Sequence, residues 1–216
     1  ILFTVVCYAV ILIGGFVKDI GRGDMTVSLT HFAAGFGFEW GARGPLFTGS
    51  AWNSFFTTIE VAAVAAPLTA VIGLLAAYVI TRHRFVGRRS FEFLTMVSFA
   101  IPGTVIGVSY IVAFNVPPLE LTGGMLILVL CFVFRNMPVG VRAGVAALAQ
   151  IDKTLDEASA TLRASTSRTL RKIIVPLLRP AILATLVFSF THAMTAVSAV
   201  IFLATAKYNL ATVYII

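Results

Sequence analysis

The residues of this chain that could do chemistry fall into two sets. One is the polar stretch at residues 151–180, IDKTLDEASATLRASTSRTLRKIIVPLLRP. The other comprises Glu60, Arg135, His192, Thr195 and Ser198, each embedded in apolar sequence, with Pro102 in a similar setting. Ionisable groups in such runs are costly in a membrane and often serve transport or proton movement. No G-x4-G-K-[ST] phosphate loop, HExxH zinc helix or GxSxG nucleophile turn occurs. The chain is therefore expected to be no enzyme: it should neither hydrolyse ATP nor form covalent intermediates, and it should hold no cofactor. Cys7 and Cys131 sit within apolar runs and read as packing residues rather than as a disulfide or metal site.

The elements that position these residues follow from composition. Of 216 residues 59% are apolar and 12% charged, with mean hydropathy +0.98. A soluble domain carries about 25% charged residues, so lipid must be the solvent for most of this surface. Apolar runs near 20 residues span a bilayer as helices. The expectation is all-α, a polytopic transmembrane helix bundle, with spans at about 1–17, 55–80, 91–113, 124–148, 177–205 and 211–216. Both termini lie inside apolar runs, which reads as one transmembrane domain cut within helices. Asn53-Ser54 is expected to cap the second span, and Pro102-Gly103 to kink the third.

Charge gives orientation. Of sixteen Lys and Arg, twelve lie at 82–89 or 135–179. The remainder, Lys18, Arg22, Arg43 and Lys207, lie on the opposite side, the first three balanced by Asp19, Asp24 and Glu39. By the positive-inside rule the basic side is cytoplasmic. The net charge of +7 then reports topology and anionic lipid, with no nucleic-acid partner expected. The Gly-rich loop at 18–50 lies outside, and Trp40 and Trp52 read as interfacial anchors.

Within 151–180, Leu148, Ile151, Leu155, Ala158 and Leu162 recur at helical spacing and form one apolar stripe, with Asp152, Lys153, Asp156 and Glu157 on the other sides. The small residues at 164–167 break the pattern, and Ser165 or Ser167 is a candidate cap for a second helix. Arg168, Arg171 and Lys172 crowd its polar side, and Pro176 and Pro180 mark the start of the next span. Periodicity leaves two readings open: a helical hairpin gripped by another protein, or an amphipathic connector lying on the bilayer.

This stretch resembles the EAA loop of type I ATP-binding-cassette importer permeases, E-A-A-x3-G-x9-I-x-L-P. The chain reads Glu157-Ala158-Ser159, Arg163 in place of the usual Gly, then Ile173-Ile174-Val175-Pro176. Further stretches, AIPGTVIGVSYIVAFN, FRNMPVGVRAGVAALAQID and AMTAVSAVIFLATAKYNLATVYII, are similar to ferric-iron-type permeases. The resemblance implies a bacterial inner-membrane permease, one half of a fused pair. Residues 151–176 would be the cytoplasmic coupling loop, with Asp156, Glu157, Ala158, Ser159, Leu162, Arg163, Ala164, Ser165 and Pro176 facing an ATPase dimer that binds ATP and Mg. A periplasmic solute-binding protein and a second permease half would complete the machine. Ferric iron is the implied cargo, with phosphonate, sugar phosphate, polyamine or thiamine as alternatives. A secondary transporter or channel without an ATPase is the alternative class.

The embedded polar residues keep two readings each. Arg135, about 16 Å along its span, either helps an anion or an anion-chelated ferric ion cross, or sits shallower with Arg142 at the cytoplasmic face. Glu60 is a vestibule group or a snorkelling surface residue. His192 is a pathway ligand or an interhelical hydrogen-bonding group. Thr195 and Ser198 line the path or bond their own backbone.

Overall fold

The computed structural model describes residues 2–215 except Ile20, Ala42, Arg43 and Lys153, and excludes the side chains of Asp156 and Ala160. The chain forms two compact units, residues 1–56 and 57–216.

The first unit begins with the apolar helix α1 (Leu2–Phe16). Two antiparallel hairpins follow, β1 (Val17–Asp19) with β2 (Asp24–Val27) and β3 (Phe38–Gly41) with β4 (Gly44–Phe47). Between them lies α2 (Thr30–Phe36). The expected outer loop at 18–50 is thus built from short elements. Trp52 is held by rings of Phe36, Phe47, Phe55 and Phe56, and its indole N–H donates to the Gly37 carbonyl at 3.1 Å. Trp40, in contrast, is exposed on β3.

Helix α3 (Ala51–Arg82) starts before Asn53 and Ser54, which therefore lie in its first turn rather than capping it. In the second unit come α4 (Arg88–Ala100), α5 (Gly103–Phe114) and α6 (Met125–Ala149). The polar stretch after α6 holds α7 (Thr154–Thr161), α8 (Thr166–Thr169), a π-helical turn (Leu170–Ile174) and α9 (Val175–Leu177). Helices α10 (Arg179–Thr195) and α11 (Ala211–Tyr214) complete the chain.

Among the described residues α3 and α6 are long and apolar enough to cross a membrane alone. Two further crossings need bent pairs. Helices α4 and α5 meet at 108°, so the stretch expected at 91–113 is a sharp break at Ile101-Pro102, far beyond a kink. Helix α10 stops at Thr195 rather than running on to residue 205, and it meets the 166–177 helix at 72°. Pro180 sits in the first turn of α10, where a missing N–H is harmless. Residues 197–204 instead form tight turns, closed by Val197 and Val200 carbonyls that accept from Ile201 and Ala204.

Packing follows the logic of lipid as solvent. The buried side of α3 carries Ala62, Ala65, Ala66, Ala70 and Ala77, while Val64, Leu68, Val71 and Leu75 are exposed. Tails of lipid solvate Leu as well as a protein core does, so small residues that allow close backbone approach decide the contact. A β-carbon on Gly140 would lie 3.3 Å from the Gly73 Cα and 3.0 Å from Thr185 Cγ2, and one on Gly144 would meet Ala77 Cβ at 2.6 Å. Helices α3, α6 and α10 therefore cross where glycine leaves room. One apolar cluster joins Val61, Ile127, Phe132, Val200 and Leu210, and a second joins Ala77, Leu148, Ile174 and Leu178.

Candidate coupling hairpin and intramembrane polar site

The stripe expected to run unbroken from Leu148 to Leu162 is split between two helices. Leu148 is buried at the end of α6 and Ile151 packs beside it, whereas α7 begins only at Thr154. At the start of α7 the Asp152 carboxylate accepts the Thr154 N–H at 3.0 Å. That amide, with the Thr154 hydroxyl, holds the Asp152 carboxyl below the usual carboxylate range. Arg82, at the end of α3, donates from Nη2 to the Ile151 carbonyl at 3.0 Å and so ties the segment to a long span.

Helix α7 ends in a turn whose geometry bears on the departure at residue 163. The Leu162 N–H donates to the Ala158 carbonyl and the Ala164 N–H to the Ser159 carbonyl, at 3.1 and 3.0 Å. The second of these spans five residues and is the wrap-around bond of a Schellman cap, which requires a left-handed residue just before its donor. That residue is Arg163, with φ of 54°. The turn usually served by glycine is kept, and arginine adopts the conformation that glycine favours. Ser165 then caps α8: its side chain accepts the Arg168 N–H at 3.4 Å. Of the two serines considered, Ser165 is the cap.

Ser159 has a different role from that of a small spacer. It is buried and shares a 2.5 Å hydrogen bond with the buried Thr169 hydroxyl, locking α7 onto α8. Thr169 also donates to the Ser165 carbonyl at 3.3 Å. Leu155, Ala158, Leu162 and Ile173 line an open groove of about 560 Å³ between the two arms, with Arg168 and Lys172 on its rim. Leu162 is 82% exposed. Glu157 is exposed in mid-helix. The Asp156 side chain lies outside the described residues, as does Lys153. Pro176 is the second residue of α9, just after the π-helical turn in which Val175 donates to Leu170.

The intramembrane residues separate into those that meet and those that do not. Arg135 lies within α6, with about 15 Å of helix toward Met125 and about 21 Å toward Ala149. Its Nη1 is buried and has no hydrogen-bond partner. A β-carbon on Gly103 would overlap Ser198 Oγ and come within 3.0 Å of Arg135 Nη1, so both groups converge on the first residue of α5. Pro102 is the residue that precedes this helix start. One position along α6, the fully buried Asn136 donates to the Ser189 carbonyl at 3.4 Å, leaving Asn136 Oδ1 and Ser189 Oγ without partners.

His192 stacks on Phe188 with ring centroids 5.5 Å apart, and among the described residues no interhelical hydrogen bond engages it. Thr195 donates to the Thr191 carbonyl at 3.0 Å within its own helix. Glu60 is exposed on α3. Sequence reasoning does not single out Asn136 or Ser189, and it gives Gly103 only a part in a kink. The Pro102-Gly103 pair reads as a kink signal, and nothing in its type announces close approach by an arginine. Among the described residues no group of three or more His, Cys, Asp or Glu side chains gathers as a metal site.

A bundle with glycine-mediated crossings, broken spans and an exposed helical hairpin defines a class. Residues 69–213 match the family described as binding-protein-dependent transport system inner membrane component, and the chain belongs to that family. It is 46% identical over 216 residues to the ferric transport system permease protein FbpB of Actinobacillus pleuropneumoniae, covering 100% of this chain and 30% of that protein. A putative ferric transport system permease protein FbpB 1 of Haemophilus influenzae is 46% identical over 214 residues, covering 99% and 33%. The chain thus spans about a third of the length of these relatives. The sulfate transport system permease protein CysT of Salmonella typhimurium is 31% identical over 161 residues, or 70% of this chain and 58% of that one. A solved chain of the MetNI methionine ABC transporter, in inward-facing form, superposes with TM-score 0.53 at 20% identity, over 65% of this chain and 68% of that one. The fold is that of an ABC importer permease.

Proposed function

We propose that the chain forms part of the membrane path of an ATP-driven ferric importer, and that residues 151–176 are the lever by which a separate ATPase moves it. The observation that carries this reading is the α7–α8 hairpin. It is tied to α3 through Arg82 and braced internally by Ser159 and Thr169, yet it leaves Leu155, Ala158 and Leu162 open on a groove. A connector lying on lipid needs no such bracing, whereas a lever must be stiff to transmit force. Glu157 and Arg163 are exposed and would make the polar contacts around the apolar centre. ATP and Mg would be held by that ATPase, with a periplasmic solute-binding protein delivering cargo and a second permease half closing the path.

Iron is favoured as cargo because the ferric permeases match the whole chain at 46% identity, against 31% over part of it for a sulfate permease. The test is a reconstituted importer with single cysteines at Ala158 and Leu162. Cross-links to the ATPase whose yield changes between ATP-bound and nucleotide-free states, together with ATP-dependent 55Fe uptake, are expected. A hairpin that never cross-links while uptake proceeds would overturn the lever. Uptake of sulfate but not iron would overturn the cargo.

A further inference from the structure

The convergence of Arg135 and Ser198 on the start of α5 has the make-up of an anion site. Arg135 is a permanent cation. Its Nη1 is buried and unpartnered, and among the described residues no carboxylate lies within ion-pair range of it. Arg135 as a whole is partly exposed, but a buried N–H left without an acceptor is costly enough that structures usually supply one. The neighbouring element adds positive potential instead. Helix α5 has twelve residues and no side-chain cap, so the amides of its first turn point outward without intrahelical acceptors. Ser198 contributes a hydroxyl at the same point and is exposed, so the locus opens at the surface of this unit. Gly103 lets the donors close in, since any β-carbon there would overlap Ser198 Oγ.

From this geometry we propose that Arg135, Ser198 and the first amides of α5 form an oxyanion-binding site on the cargo path. The inference rests on the permease reading above and deepens it. A trivalent cation alone is repelled by this locus. An oxyanion-chelated ferric ion is attracted to it through the oxyanion's oxygens, which accept from the guanidinium, the hydroxyl and the backbone amides.

The test uses the full-length permease assembled with its ATPase in nanodiscs, with radiolabelled inorganic phosphate as probe and unlabelled sulfate as competitor. Saturable phosphate binding is expected in the wild type. Arg135→Gln should weaken it about tenfold or more, and Arg135→Lys by less. Gly103→Ala, which keeps the charge and removes the space, should weaken it too and guards against misassembly of the arginine variant. Absence of saturable binding in the wild type, or wild-type binding retained in both Arg135→Gln and Gly103→Ala, would overturn the site. Phosphate binding seen in phosphatidylcholine discs but suppressed by phosphatidylglycerol would assign the locus to a lipid headgroup and overturn the cargo role. 55Fe uptake in parallel proteoliposomes separates the two readings. Phosphate bound at Arg135 by a wild type that moves no iron leaves the site standing and removes the ferric cargo. Iron moved with no phosphate bound does the reverse.

Discussion

Replacing Arg163 by glycine is expected to stiffen the α7–α8 hairpin. At φ of 54° the arginine β-carbon crowds its own backbone, and a left-handed L-residue costs roughly 1–2 kcal/mol. Glycine removes that cost but loses roughly 0.5–1 kcal/mol through its freer unfolded chain. The difference leaves about 0.5–1 kcal/mol in favour of glycine, which is a factor of about 2–5 in the opening equilibrium. The reporters are the Leu162 and Ala164 amides, which donate to Ala158 and Ser159 across the turn. Hydrogen exchange by mass spectrometry, on the permease in nanodiscs, should show these amides slowed by about 2–5-fold in Arg163→Gly. Arg163→Val should speed them, because a β-branched residue tolerates positive φ poorly. Exchange that is unchanged or faster in the glycine variant, or unaltered by valine, would refute the reasoning that backbone strain at this residue sets the turn's stability.

Other outcomes follow from the packing. Gly140→Val places methyl groups against Thr185 and the Gly73 backbone, and overpacking of this kind costs about 1–3 kcal/mol; the melting midpoint of the purified protein should fall, and an unchanged midpoint would refute the close crossing. Ser159→Ala and Thr169→Val should be coupled by about 1 kcal/mol in a double-mutant cycle read by hairpin exchange, since Thr169→Val strands the buried Ser159 hydroxyl whereas Ser159→Ala leaves Thr169 its bond to the Ser165 carbonyl; additive effects would count against the shared bond. Arg82→Gln removes a charged donor from the Ile151 carbonyl, a loss of about 1.5 kcal/mol, and should raise exchange at the start of α7 while leaving the α6 core protected.

Much of this architecture is legible in the residues alone. Long apolar runs with few charges admit only helices in lipid, because every backbone donor must find its acceptor within the same segment. The clustering of arginine and lysine at 82–89 and 135–179 predicts their orientation. The break between two short helices at 164–167 is legible too, since a turn depends on local residues.

Tertiary structure decided what depends on neighbours distant in sequence. Whether α10 continues past Thr195 is settled by the 197–204 turns packing on Gly107, whose β-carbon would clash with the Ala199 carbonyl. The buried Ser159 hydroxyl gains meaning only from Thr169. The surroundings of Arg135 come from α5 and from residue 198, brought together by the sharp break at Pro102. Periodicity records which side of a helix prefers lipid. It carries no record of which polar atoms from other helices meet on the side that does not, because such meetings are set by the crossing of whole elements.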